Sequence, residues 1–524
     1  MRHQVGWLLR ANRLYGQTDE WLRSATFAAA FQGGCWPRST SIYQISRWET
    51  GSVGVPYLAV RRYEQLLNLD AHRLVAIIDA TYRYGSSTGD GAAPLLGRDR
   101  TAPPRRLDDL LDRARSTALL TGADWDELTR RIATEPNLVL APHRTWAEIA
   151  ERLLSETVVS DGVAWMQRYE ALNRILSHPV GQEAAVAACA SLAADRTNQV
   201  FVETVSVLDA SAHPDSNRHV LRQLMHPTNE RAQYGALLAS VRKLRYGHFT
   251  EAQTNMVTAV LRGLLSDRNP HGDVQSLAAE LIRELSMTAP ATTRDRLRRI
   301  VDDPRIRRLL AANRSTDNID AGRNLIDRVV RATESMMPRH LPNFVDEMLP
   351  VLLGEMLFNP VSDVRLHAAL AVGGTPYRVP VAVALTAELT EATLRRDDVA
   401  PAIIESLRLI GDRRQRALIE QLITATGVPA QVTVAASQTI GHIGGRSDDT
   451  FWGRAIDLHS RIWQQSRDRT SSTVLSGLTY GLGISRNHTV LRKLRHDARM
   501  PDPVRTAARW WLNLPEVVYR SADH

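Results

Sequence analysis

Cysteine, lysine and long apolar runs are all scarce in this chain of 524 residues. The two cysteines, Cys35 and Cys189, lie far apart, which excludes a disulfide framework and a multi-cysteine zinc site. No stretch approaches the roughly 20 uninterrupted apolar residues that a bilayer span requires, and the first residues lack the continuous apolar core of a signal peptide. We therefore expect a folded, soluble protein that stays in the cytoplasm.

Positive charge comes almost entirely from arginine, because lysine occurs only at positions 243 and 493. The formal net charge is +8, and residues 1–85 hold 10 arginines against 6 acidic residues, a net of +4. Half of the excess charge therefore lies in a small part of the chain. A basic N-terminal segment favours an acidic partner such as nucleic acid.

The alternation of Val, Ile and Thr that marks β-strands is also rare, whereas helical spacing of apolar residues is frequent. In the N-terminal part, helices are predicted at Val5–Tyr15, Ala25–Phe31, Ser41–Glu49, Tyr57–Leu67 and His72–Tyr82. After Leu107, helices follow one another to the end of the chain, separated by proline and glycine breaks. The sequence thus predicts an all-α protein.

A segment rich in Gly, Ser and Pro separates these two parts and is typical of a linker. We expect a small domain in residues 1–84 and a flexible linker in 85–106. A helical connecting region should follow in 107–175, and helical repeats should occupy 176–524.

Four segments after residue 360 share one spacing of small and apolar positions. Each begins with a valine and repeats the pattern four and eight residues later, at Val364, Ala368 and Val372, at Val399, Ile403 and Leu407, at Val432, Ala436 and Ile440, and at Val504, Ala508 and Leu512. Such positions lie on one face of a helix. Between the third and the last, TSSTVLSGLTYGLG (470–483) fits the same frame more loosely, which gives a period of about 33 to 39 residues. This is the period of a helical hairpin, which buries its apolar face only by stacking on its neighbours.

The first of these segments, DVRLHAALAVGG, resembles the second helix of a HEAT repeat. The matching residues are Asp363, Val364, Arg365, Ala368 and Ala369. The resemblance covers roughly residues 175 to 515. It implies an α-solenoid that serves dimerisation or binds a protein or small-molecule partner.

The segment STSIYQISRWETG, residues 39–51, differs from the Ala- and Arg-rich helices around it. Ser41 and Gln44 stand three residues apart, as the N-cap and N3 positions of a capping box do, so we expect a helix to start at Ser41. Tyr43, Gln44 and Arg47 then lie on its outer face. Since glutamine pairs with adenine and arginine with guanine in the major groove, the pattern predicts a recognition helix.

The segments GWLLRANRLYG, FAAAF, ISRWETG and PYLAVRRYEQLLNL, all within residues 5–70, resemble successive parts of a Cro/cI-type (XRE-family) helix-turn-helix domain. The resemblance implies that Tyr43, Gln44 and Arg47 read base edges, while backbone contacts come from Ser41 and Thr40. It also implies that a homodimer binds double-stranded DNA at half-sites about one helical turn apart.

The same resemblance implies a structural ion pair between Arg13 and Glu49; the alternative is two solvated surface charges. The chain departs from the family in a longer loop, QTDEWLRSAT, and in a stretched turn, GGCWPRST. In that turn, Arg38 and Trp36 are placed to reach a phosphate or the minor groove. Trp36 has a second interpretation, as a plug over a small core.

A second basic segment spans residues 294–314 and holds eight arginines against three aspartates. Its candidate phosphate contacts are Arg298, Arg299, Arg305, Arg307 and Arg308. The alternative is a solvated, arginine-rich face that is partly paired with neighbouring aspartates.

The leading interpretation is a sequence-specific DNA-binding transcriptional regulator whose repeat region serves oligomerisation or the sensing of a partner or ligand. No H-E-x-x-H motif or convergent catalytic group is present, so we expect no enzyme, no metal and no cofactor. One alternative is a HEAT-repeat interaction scaffold that does not bind specific DNA. Another is a HEAT-like DNA glycosylase with Trp510 and Trp511 in its groove.

Overall fold

The computed structural model describes most of the chain. The described residues are 1–85, 105–142, 144–200, 202–266, 272–288, 293–295, 297–298, 304, 307, 319–338, 345–396 and 398–522. Within them, the regular elements are helices, and the only β-type pairing is one isolated bridge between Gly33 and Trp36. The predicted all-α class is confirmed.

Helices follow one another along the whole described chain. The α-helices are α1 (Arg2–Tyr15), α2 (Ser24–Ala30), α3 (Ile42–Glu49), α4 (Tyr57–Leu66), α5 (Arg73–Gly85), α6 (Arg105–Ala114), α7 (Gly122–Ala133), α8 (Thr145–Val159), α9 (Gly162–Ser177), α10 (Gln182–Ala194), α11 (Val202–Ser206), α12 (Pro214–Met225), α13 (Glu230–Arg245), α14 (Glu251–Ser266), α15 (Gly272–Thr288), α16 (Ile319–Met336), α17 (Met348–Phe358), α18 (Ser362–Gly373), α19 (Arg378–Ala387), α20 (Glu391–Leu394), α21 (Val399–Ile410), α22 (Arg416–Thr424), α23 (Ala430–Thr439), α24 (Asp449–Ser466), α25 (Arg469–Ile484), α26 (His488–Leu494), α27 (Asp502–Asn513) and α28 (Glu516–Ala522). Two short 3₁₀ helices lie at Asp19–Leu22 and Val207–Ala210. The predicted linker lies mostly outside the described residues; Gly85 ends α5, and Arg105 begins α6.

The four segments with repeated spacing lie in α18, α21, α23 and α27. Ten of their twelve spaced positions are buried, and the other two, Val364 and Leu512, are half-buried. Helices α18, α21, α23, α25 and α27 pack side by side in chain order. Four further helices each pack against the next of these in the chain and form a hairpin with it: α19 with α21, α22 with α23, α24 with α25, and α26 with α27. Consecutive helical hairpins therefore stack through the faces that the spacing predicted.

Helices α1 to α4 close over an aromatic cluster. The Phe27 ring centroid lies 5.0 Å from that of Tyr63, and the Phe31 centroid lies 5.6 Å from that of Trp48. Ile45, on the inner face of α3, is fully buried. This cluster sets which side of α3 faces inward.

The N-terminal helices also pack directly on the repeat helices. Trp7 in α1 donates its indole N–H to both carboxylate oxygens of Asp346 at 2.9 Å, and its ring stacks on Tyr377 at a centroid distance of 5.9 Å. Asn12 donates to the Gly374 carbonyl oxygen at 2.9 Å. One apolar cluster accordingly extends from α1 to α28, so that the first helices share a core with the array.

Buried charges fix α5 against α7 and α9. Asp79 in α5 accepts from Arg130 at 2.6 Å and from Arg174 at 2.7 Å. Asp126 in α7 contacts the same two arginines and His72, whose Nδ1 lies 2.6 Å from its carboxylate. None of the five residues is more than 5% exposed. Burial by itself would raise the pKa of Asp126, but the two arginines hold it well below its usual value.

A second buried group of charges ties the far end of α5 to later helices. Arg83 pairs with Glu170 of α9 at 2.7 Å, and Arg242 of α13 pairs with Asp363 of α18 at 2.5 Å. Asp209 lies between the two arginines, 3.9 Å from Arg83 and 3.7 Å from Arg242. Helix α5 is therefore held at its middle through Asp79 and near its C-terminal end through Arg83.

Removing one member of the first group should be costly. We expect Asp79→Ala to lower the free energy of unfolding by about 3–5 kcal/mol, because Arg130 and Arg174 would then share a single buried carboxylate. The exposed Asp70 offers a matched control, and Asp70→Ala should change stability by no more than about 0.5 kcal/mol. Urea denaturation followed by circular dichroism measures both, and equal effects would contradict the assignment.

Lys243 should make stability depend on pH above neutrality. Its amino group is fully buried and donates to the Ser211 carbonyl oxygen at 2.6 Å and to Asn217 Oδ1 at 2.8 Å. Burial lowers its pKa from 10.5 to about 7, although Asp209 acts in the opposite direction. Between these two values the unfolded chain binds a proton that the folded chain does not, so stability should rise with pH in this window.

The test compares the wild type with Lys243→Met between about pH 7 and pH 10. The difference in free energy of unfolding should grow with pH, with a slope that approaches about 1.4 kcal/mol per unit. The exposed Lys493 provides the control, and Lys493→Met should show no such slope. A flat difference for Lys243→Met would mean that the buried amine stays charged.

Candidate nucleic-acid interface

Helix α3 begins at the predicted residue and is capped by a side chain. Ser41 is its N-cap, and the Ser41 hydroxyl accepts from the Gln44 backbone N–H at 3.1 Å. Among the described residues, no bond returns from the Gln44 side chain to the Ser41 backbone, so the expected capping box is present only in half. The cap uses only the backbone N–H of Gln44, so the side-chain amide of Gln44 stays available on the outer face.

The outer face of α3 is open. Tyr43 is 70% exposed and Ile42 is 51% exposed, whereas Gln44 and Arg47 are half-buried. The Arg47 guanidinium lies over the Tyr43 ring, with 5.5 Å between Cζ and the ring centroid. An aromatic ring and a cation thus form one unit beside Gln44 on an uncovered surface.

The turn before α3 is tight and carries an aromatic plug. Gly33 and Trp36 exchange backbone hydrogen bonds of 2.7 and 2.9 Å, and both Gly33 and Gly34 have positive φ values, +130° and +53°. The Trp36 ring stands edge-on to Trp48 at 5.7 Å and donates its N–H to the Thr40 hydroxyl oxygen at 3.0 Å. Trp36 therefore serves the core, and the Thr40 hydroxyl keeps its own proton for another acceptor.

A buried ion pair supports the end of α3. Arg13 donates to the two carboxylate oxygens of Glu49 at 2.6 and 2.7 Å, and Tyr63 donates to Glu49 at 3.1 Å. Arg13 is 4% exposed and Glu49 is 7% exposed, so these are not solvated surface charges. Desolvation alone would lower the pKa of Arg13, but Glu49 raises it above its ordinary value. The pair connects α1, α3 and α4.

Two glycines that the sequence analysis did not single out allow α1 to cross α3 closely. A Cβ atom on Gly6 would lie 2.6 Å from the Gly51 nitrogen and 2.8 Å from the Trp48 carbonyl oxygen. Gly51 has φ +71° and follows α3, and its Cβ would lie 2.5 Å from the Arg2 carbonyl oxygen. Contact between backbones requires glycine at both positions. In the sequence, the only indication of this close crossing was a single glycine in each of two segments, GWLL and WETG.

The predicted contact residues fall into two groups. Residues 40, 41, 43, 44 and 47 lie on or beside α3, and Arg38 is exposed just before it. In the second basic segment, Arg298 is exposed and pairs with Asp295 at 2.8 Å, and Arg307 is exposed. Arg299, Arg305 and Arg308 lie outside the described residues, so the second group stays a prediction.

The described residues also bear on three other features: an aromatic groove at Trp510 and Trp511, a metal site and a membrane span. Trp510 is 6% exposed and Trp511 is fully buried, with its indole N–H donating to Gln199 at 2.5 Å, so this pair lies in the core and lines no groove. In the described part of the chain, no group of three or more His, Cys, Asp or Glu residues is arranged to hold a metal ion. No single described helix has the length and apolar composition of a membrane span. Helices α18 and α19 have that length and composition only when taken together, and the chain bends by 118° between them.

Comparison of the chain with protein-family models and with curated proteins finds no match. The two family resemblances therefore depend on the segments quoted above and on the helices that carry them.

The ion pair beneath α3 can be tested without DNA. We expect Glu49→Ala to lower the free energy of unfolding by about 3–5 kcal/mol, because the Arg13 guanidinium would remain buried without its counter-charge. Hydrogen exchange should also show faster exchange of the α3 amides. The control is Glu20→Ala, because Glu20 is exposed. If the α3 amides of Glu49→Ala exchanged as slowly as those of the wild type, the ion pair would have no supporting role.

Proposed function

We propose that this protein is a sequence-specific DNA-binding transcriptional regulator and that α3 is its recognition helix. One observation carries the proposal: α3 presents Tyr43, Gln44 and Arg47 on an open face while a buried ion pair and an aromatic cluster hold its other side. A helix held in this way docks as a rigid element and loses little conformational freedom on binding.

The chemistry of the outer face suits the major groove. The Gln44 amide pairs with adenine and the Arg47 guanidinium with guanine, each through two parallel hydrogen bonds. Stacking on Tyr43 orients that guanidinium before DNA arrives. Thr40 and Ser41, at the start of the helix, are placed to bind the phosphate backbone, as the N-terminal end of a helix does.

The surface of the N-terminal part keeps the positive excess that the composition indicates. Glu49, Glu64 and Asp79 are buried in ion pairs, with Arg13, Arg61 and Arg130 respectively. Burial thereby removes three of the six acidic residues of residues 1–85 from the surface, together with two of the ten arginines, Arg13 and Arg83. The remaining positive excess supports attraction of a phosphate backbone.

A single α3 offers too few base contacts for a specific complex, so the proposal includes a homodimer. Each good bidentate contact is worth about 1–3 kcal/mol, and two or three of them add little to nonspecific attraction. We infer that the stacked hairpins form a HEAT-like α-solenoid that supplies the dimer contact or receives a protein or ligand signal. Since α1 contacts the array through Trp7 and α5 contacts it through Arg73, which donates to the Gly373 carbonyl oxygen, the array would set the distance between two α3 helices.

The decisive variant is Gln44→Ala combined with Arg47→Ala. A binding motif is first obtained by sequencing genomic fragments retained by the wild-type protein. We expect the variant to bind this motif at least about thirtyfold more weakly, since two contacts of about 1–3 kcal/mol each are lost. Its affinity for random DNA should change little.

Arg461 and Gln464 in α24 provide the matched control, because they are exposed and have the same spacing of three residues. Arg461→Ala with Gln464→Ala should leave binding to the motif unchanged. If the α3 variant also kept full affinity, attraction by charge alone would explain DNA binding and an interaction scaffold would be favoured. Sedimentation that shows a monomer both free and on the motif would contradict the homodimer.

A further inference from the structure

A polar pocket of about 410 Å³ lies between two consecutive hairpins of the array. One side is formed by the segment that enters α24 and the other by the segment between α25 and α26. Nothing in the proposed DNA contact uses this region. The residues that define its chemistry are Arg446, Asp449, Arg486, Asn487, His488 and Arg492.

The pocket has an excess of positive charge. Three of its lining residues are arginines and one is an aspartate, and Asp449 already accepts a hydrogen bond of 2.7 Å from the Asn487 amide. The remaining polar groups include the hydroxyls of Ser447 and Thr489. A lining of this composition suits an anion that accepts several hydrogen bonds.

Within the described part of the chain, two of these arginines contact no carboxylate. Arg446 and Arg492 are exposed, and neither forms an ion pair within the described residues. By contrast, nearby surface arginines such as Arg499 and Arg505 are paired with aspartates. The two guanidiniums at the pocket thus keep their hydrogen-bond donors for a ligand.

Arg486 makes one wall rigid at the expense of backbone strain. It has φ +56° and follows the end of α25, where the Asn487 N–H donates to the Leu482 carbonyl oxygen at 2.9 Å. This position usually holds glycine, because side chains disfavour positive φ. The Arg486 guanidinium donates to the Tyr519 carbonyl oxygen and lies 5.5 Å from the Tyr519 ring centroid, which braces the pocket against α28.

We propose that this pocket binds a small phosphorylated molecule, with Arg446 and Arg492 as the residues that hold its phosphate groups. The planar guanidinium fork matches two phosphate oxygens, and the volume accommodates a ligand of the size of a diphosphate with a short organic part. The polar lining disfavours an apolar ligand. This inference goes beyond DNA recognition. Because ligand binding is measured without DNA, the ligand proposal and the DNA-binding proposal can fail independently.

Such a ligand would connect two hairpins. The segment before α24 and the segment before α26 belong to successive hairpins that pack through α25 and α27. Binding to both segments stabilises that packing, because only the folded array presents the two arginines together. A rise in the melting temperature of the full-length protein is the direct consequence.

The experiment uses the full-length protein and pyrophosphate as the probe, at constant ionic strength. Calorimetry should detect binding to the wild type, and the melting temperature should rise with probe concentration. In Arg446→Ala with Arg492→Ala, binding should weaken at least about tenfold, since two charge-assisted contacts are lost. Arg454→Ala, which removes an exposed arginine of α24 outside the pocket lining, should bind as the wild type does.

Melting without the probe checks that the double variant is folded, which is expected because both side chains are exposed. The proposal is overturned if pyrophosphate fails to bind the wild type, or if the double variant and Arg454→Ala bind it equally. Loss of DNA affinity in the double variant without any pyrophosphate binding would assign the pocket to the DNA backbone and would also reject the small ligand.

Discussion

The buried contacts of Asp79 and Asp126 with Arg130, Arg174 and His72 are the constraint on which the rest of the structure depends. Charges taken out of water cannot separate without a large desolvation cost unless each finds another partner. Helix α5 is therefore locked to α7 and α9, although the segment between α5 and α6 is rich in glycine and proline. The N-terminal helices cannot swing on that segment while the charges remain paired.

The orientation of α3 depends on a second, separate set of buried contacts, made by α1. Helix α1 is fixed to the array by Trp7 and Asp346, and it meets α3 at the glycine crossing and through Arg13 and Glu49. Each link is buried, and one of them, between Arg13 and Glu49, joins two charged groups. These contacts couple the orientation of α3 to the packing of the hairpins, which would matter for DNA binding if α3 reads DNA as proposed.

Arginine fills three distinct roles in this protein, and burial together with its partners decides among them. Arg13 and Arg130 are buried against carboxylates and stabilise the fold. Arg47 lies half-buried over an aromatic ring on an open face. Arg446 and Arg492 are exposed at a pocket that has few acidic groups. Composition alone counts all of these as positive charge and cannot assign the roles.

The sequence by itself determined the features that depend on neighbours along the chain. Helical spacing placed the helices, Ser41 marked the start of α3, and the repeated valine and alanine positions identified the buried faces of the later hairpins. These follow from hydrogen bonds and side-chain contacts within a few residues. Only the tertiary structure decided that Trp510 and Trp511 belong to the core, that Gly6 meets Gly51, and that Asp79 pairs with Arg130 and Arg174. Those contacts join residues far apart in the chain, and no local pattern states which distant segment will lie beside which.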